Sequence, residues 1–297
     1  MEAQALRRNV FARHSWENSF YVERIRQLAG RTIVEVFADG PIDSIVAGAR
    51  AKAEFAERLA LISSTLGVQR RRLQQLLAIS GHRRYGFDLA ISPGFEYLRS
   101  SSRAEPEPRG VPVDETFVRR FNRCGFARLL EVALSSHAVS QRLVQAVNWV
   151  SQSRQEPEAL AAVVKTAIAL ESLLIVNESE SLRGPLAERS AFILSAIPAN
   201  RQRIARSVRR FYDLRSGIVH GGRRRPPTIP LPMLEGMDRL VVLLSVTLAA
   251  NAKRFASFDD VAAWVEGQKW GARSDPIARP FPASPLTRAI QLTEDTR

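Results

Sequence analysis

The stretch Phe211-Tyr-Asp-Leu-Arg-Ser-Gly-Ile-Val-His-Gly-Gly222 organises the reading of this 297-residue chain. Tyr212, Leu214, Ile218 and Val219 recur at the spacing of a helix that packs one face on a core. Arg215 stands five residues before His220. Gly221 and Gly222 then offer a helix stop, because glycine takes the left-handed conformation without a Cβ clash. Two readings follow. In one, a guanidinium and an imidazole near a helix C-terminus form a phosphate-cleaving pair. In the other, Arg215 pairs with an acid such as Glu171 and the helix is purely structural.

Spacing alone does not choose between them, since in a chain this rich in arginine a given Arg-to-His separation arises by chance about half the time. Arg8 and His14 make such a chance pair and read as surface residues. The context is more informative. Seven residues span nearly two helical turns, so Asp213, Ser216 and His220 share one face, while Tyr212, Arg215 and Val219 share the adjoining one. His220 falls in the last turn, where the helix dipole favours a cation and an imidazole suits general acid–base work. Arg215 can grip a phosphate in bidentate fashion. Between Arg201 and Arg225 lie nine arginines against one acid, Asp213. Of these, Arg206, Arg209, Arg210, Arg223, Arg224 and Arg225 are candidate RNA contacts.

Working outward, Pro157 and Pro185 each stand where a proline opens a helix, the first reaching about Val176 and the second running from Leu186 to Ile197. Helices are also expected over 114–135, 140–153, from about Asn200 to the glycines, and from about Leu234 to Phe255. A short helix follows Ser257, which with Asp260 makes a capping-box start. Residues 114–256 thus read as an all-α bundle. Residues 257–297 read as that short helix and a flexible basic tail. Residues 101–113, rich in Ser, Pro and Gly, read as a linker. Before it, residues 1–100 read as a smaller α+β region: a strand at Thr32–Phe37, helices over 42–66 and 69–79, and a hairpin of 85–91 with 95–98 across Ser92-Pro-Gly94.

Composition bounds the rest. Apolar residues make up 45% and charged residues 25% of the chain, the profile of a globular protein rather than a disordered one. The net charge of +13 comes almost wholly from arginine and favours polyanion partners such as nucleic acid. Cys124 is the only cysteine, which excludes a disulfide framework and a thiolate metal site. No metal or cofactor motif is present, so none is expected. The run Leu240–Ala250 is too short to span a bilayer, and the first residues lack a signal-peptide core, so a cytoplasmic, non-membrane protein is expected.

The segment Tyr212–Gly222 resembles the C-terminal motif of HEPN domains, in the ApeA-like branch of prokaryotic defence proteins. Ile168-Ala-Leu-Glu-Ser-Leu-Leu174 is similar to the "ALE-LL" helix of that branch, and Pro185-Leu-Ala-Glu-Arg-Ser-Ala-Phe-Ile-Leu194 to its "L-ER-A-LL" helix. Three ordered matches are more specific than R-x4-H by itself. The resemblance covers about residues 115–255 and implies an up-and-down helical bundle that commonly dimerises. It implies a metal-independent endoribonuclease, with Arg215 on the phosphate and His220 as acid–base at a composite active site in a homodimer. Ser216 and Glu171 become positioning residues, with Tyr212 and Asp213 beside them. Arg189 becomes structural or RNA-contacting. RNA, tRNA included, is the implied partner, and an antitoxin or regulator a further one, in phage defence or a toxin-like stress response. A non-catalytic nucleic-acid- or nucleotide-binding member that acts with a partner and a structural helical interaction protein are the alternatives.

Overall fold

The computed structural model describes residues 42–65, 82–91, 98–107, 115–176, 182–220, 228–270 and 275–295. These residues are mainly helical. Chain contacts divide the protein into two units, Met1–Glu54 with Ser80–Pro108, and Phe55–Ile79 with Arg109–Arg297.

In the first unit lies an antiparallel hairpin, β1 (His82–Ile91) with β2 (Leu98–Glu107), paired from Ile91↔Leu98 outward to His82↔Glu107. The hairpin is longer than expected. Its second arm takes in residues 101–107, the front of the stretch read as a linker. Strand pairing is made by backbone groups, so a run of Ser and Arg can complete a ladder without an apolar pattern. The strand expected at Thr32–Phe37, the helix at 69–79 and the remainder of the linker lie outside the described residues.

The second unit is a helical body around one helix. α1 (Ile42–Thr65) begins in the first unit, and its C-terminal half supplies Phe55, Leu59 and Ile62 to the body's core. There follow α2 (Glu115–Arg123), α3 (Phe126–Ala133), α4 (Ser140–Gln155), α5 (Ala159–Leu174), α6 (Arg183–Leu194), α7 (Pro198–Val219), α8 (Leu231–Ala250), α9 (Phe258–Trp270) and α10 (Ala283–Glu294). Every residue of α8 from Met233 to Ala249 is buried. A helix buried on every side is the centre of its body, and α3 to α7 with α10 provide the cover. Among the described residues, no helix is long and apolar enough to cross a membrane.

Three charged groups on α8 are buried with it. Asp238 is fully buried and accepts hydrogen bonds from Thr166 Oγ1 (2.7 Å) and Ser153 Oγ (3.3 Å), with Arg154 Nη1 at 3.9 Å. Glu235 pairs with Arg239 one turn on, at 2.7 Å. A buried carboxylate is tolerated only with such partners. They tie α4, α5 and α8 together in one register.

Two expectations change. The helix expected over 114–135 breaks into α2 and α3 at Gly125, whose φ of +77° is left-handed and whose missing Cβ would fall 2.7 Å from Val246 Cγ1. The C-terminal part, read as a flexible tail, forms α10 instead. Leu286, Ala289 and Ile290 are buried against the body, and Gly236 of α8 allows close approach of Thr293. Arg203 of α7 donates to Glu294 at 2.8 Å and holds that carboxyl below the usual range. Asn251 joins in by exchanging hydrogen bonds with the backbone of Ala278. At α9 the capping box is realised in full, with Ser257 N–H on Asp260 and Asp260 N–H on Ser257 Oγ.

Candidate nucleic-acid interface

α7 positions most of the expected site residues. Pro198 sits in its first turn, and Ile204, Val208, Phe211 and Tyr212 bury one side against the core. That leaves Arg206, Arg209, Arg210 and Asp213 exposed on the other side. α6 packs alongside, and an open groove of about 700 Å³ runs over the two helices. Arg183, Arg201, Arg206, Arg209 and Arg210 line it against two acids, Glu188 and Asp213.

Both acids are already matched. Asp213 is held by Arg183 in a two-point contact, Nε to Oδ1 at 2.6 Å and Nη2 to Oδ2 at 2.7 Å. Glu188 pairs with Lys269 of α9. Asp213, the one acid among the arginines of α7, is thus the partner of Arg183. Arg201 is committed in part, donating Nε to Ser195 O at 2.8 Å with its guanidinium 4.2 Å from the Phe192 ring centre. Burial lowers the pKa of Arg201, and of Arg279 beside it, which binds the carbonyls of Phe192 and Ile193. These two arginines serve the C-terminal end of α6, where carbonyls lack helical partners. Arg209 and Arg210 have no ion-pair partner among the described residues, so the groove keeps an uncompensated positive rim.

Arg215 points elsewhere. It lies in the seam of α5 and α7, with Nη2 3.4 Å from Glu171 Oε1; the two side chains are 18% and 21% accessible. Its guanidinium is 5.4 Å from the Tyr212 ring centre. Burial, then the charge and hydrogen bond of Glu171, push the Tyr212 phenol up to about 12, against the opposing pull of Arg215. Arg215, Glu171 and Tyr212 thus form one cluster, and the ion pair anticipated as the structural alternative is present. His220 is instead exposed at the C-cap of α7, its N–H on Ser216 O at 3.0 Å. Five residues at 100° each put Arg215 and His220 roughly 140° apart around the axis. Within one chain the two do not converge.

His220 does continue the stripe of Arg209, Asp213 and Ser216. Arg189 stands apart from the groove, donating to Leu174 O at 2.6 Å and so capping α5. Gly221, Gly222, Arg223, Arg224 and Arg225 lie outside the described residues. The far wall, with Arg183 and Phe192, escaped sequence reading. Its one signal was Asp213, a lone acid among arginines that needed a partner. No protein-family model matches the chain, and neither does any curated protein or solved structure.

Proposed function

We propose that the helical body is an RNA-handling module of HEPN type and acts as a metal-independent endoribonuclease. The observation that carries this reading is the exposed His220 at the end of an arginine stripe on α7. An imidazole there can take the proton from a ribose 2′-OH as O2′ attacks the adjacent phosphorus. The P–O5′ bond breaks, and O5′ takes a proton from an imidazolium. The products are a 2′,3′-cyclic phosphate and a 5′-hydroxyl. Arg215 offsets charge growing on the phosphoryl oxygens, for which it must exchange Glu171 for phosphate. Because Arg215 and His220 diverge within a chain, a homodimer completes the site. The resemblance adds a setting in phage defence or toxin-like stress, with tRNA among the substrates and an antitoxin as restraint, and the cytoplasm expected from the sequence is its compartment.

A second reading, RNA binding without cleavage, draws on the Arg215–Glu171 pair, which leaves the guanidinium already occupied. Mixing Arg215→Ala and His220→Ala chains separates the two. The composite site predicts that each variant is inactive alone and that the mixture recovers activity. Full activity of Arg215→Ala would remove Arg215 from the chemistry. Tight RNA binding by a wild type that never cleaves would establish the second reading.

A further inference from the structure

The groove of α6 and α7 has more structure than a patch of positive charge. Its lining sets apolar Phe192, Pro198 and Ala205 beside the arginines. The acids on its walls are neutralised by Arg183 and Lys269. The stripe then continues along α7. Fourteen residues separate Arg206 from His220, a rise of roughly 21 Å at 1.5 Å per residue. Nucleotides in an extended strand follow one another at several ångströms, so the stripe spans several phosphates and exceeds a mononucleotide. The groove lies between helices packed side by side, whose axes stand about 8–10 Å apart. A duplex, whose own major groove admits a whole helix, does not fit in it.

We propose that this groove is the track for a single RNA strand, which runs along α7 toward His220. The proposal rests on the RNA-handling reading above. Phosphates follow Arg206, Arg209 and Arg210. Bases lie against the apolar lining, where the Arg201 guanidinium held over Phe192 offers a plane for stacking. The Arg183–Asp213 pair closes one side and keeps the only acid of the α7 stripe from repelling the strand.

Fluorescence anisotropy with a 5′-labelled 12-nucleotide RNA, single-stranded or as a duplex, tests this on full-length His220→Ala protein, which cannot consume the probe. Salt is varied from 50 to 200 mM. Replacing Arg206, Arg209 and Arg210 together by Ala should weaken single-strand binding at least tenfold. It should also reduce the slope of log K against log salt by about 2, from 0.7 per lost phosphate contact. Replacing Arg119, Arg120 and Arg123, exposed on α2, removes the same charge and should cost less than threefold. Equal losses from the two triples would overturn the track, and so would a duplex bound as tightly as the strand. Groove-dependent binding beside a wild type that never cleaves would sink the nuclease reading and leave the track standing. Absence of RNA binding at 50 mM salt would remove both.

Discussion

The cluster of Tyr212, Glu171 and Arg215 decides what Arg215 is free to do, and it has a pH signature. Tyr212 is nearly buried, 7% exposed, and its phenol is raised from the ordinary 10 to about 12. In the unfolded chain the phenol loses its proton near pH 10, while in the folded chain it keeps it until about 12. The stabilisation is therefore complete below pH 10 and is lost as pH rises from 10 to 12. At 1.36 kcal/mol per pH unit, the loss is about 2–3 kcal/mol. Urea unfolding followed by far-ultraviolet circular dichroism, from pH 8 to 12, gives the comparison. Wild type should lose that much more stability than Tyr212→Phe, in which the other tyrosines and the lysines still titrate. Glu171→Gln removes the carboxylate that raises the phenol and leaves Arg215, which lowers it. Its tyrosinate absorbance at 295 nm should then appear at lower pH than in wild type. Superimposable pH profiles for wild type and Tyr212→Phe would refute the cluster and with it the assignment of Arg215 to the α5–α7 seam.

Asp238→Ala removes an acceptor from two buried hydroxyls and the carboxylate beside the buried Arg154 charge. It should cost about 3–5 kcal/mol, a fall in melting temperature of roughly 6–20 °C for a body of this size, read by thermal circular dichroism. Gly125→Ala forces a side chain into a left-handed residue and against Val246, so it should lose about 1–3 kcal/mol in the same assay. Asp213→Asn releases Arg183 and removes a negative charge from the groove proposed to hold RNA. Affinity for single-stranded RNA should rise about fivefold, from about 1 kcal/mol for a solvent-exposed charge.

Sequence periodicity found most of the body because its helices are punctuated by proline and capping residues. Pro157 precedes α5, Pro185 lies in the first turn of α6, and Ser257 with Asp260 starts α9. It ended the last long helix too late and began it too late. Glu235, Asp238 and Arg239 look like a polar boundary in one dimension, yet Ser153 and Thr166 from other helices partner Asp238, and Glu235 and Arg239 pair with each other. α10 was hidden by Pro282, Pro285 and Arg288, which mimic a tail. Its buried positions Leu286, Ala289, Ile290 and Thr293 nonetheless keep the i, i+3, i+4, i+7 spacing of a packed helix. For the site, sequence singled out α7 with Arg206, Arg209 and Arg210, which the structure leaves exposed. It set Arg215 and His220 on adjoining faces of α7 and offered Glu171 as a partner for Arg215, but it left two readings open, because only packing brings α5, distant in the chain, against α7. The groove's second wall was illegible for the same reason. Arg183 and Phe192 meet the stripe of α7 through packing, not through spacing.

End-group analysis of RNA incubated with the full chain in EDTA tests cleavage by His220 most directly. Wild type should form fragments ending in 2′,3′-cyclic phosphate with 5′-hydroxyl partners, and His220→Ala should form none. Fragments produced equally by His220→Ala, or intact RNA after prolonged incubation with a wild type that binds it, would contradict the claim that the α7 stripe ends in a cleavage site.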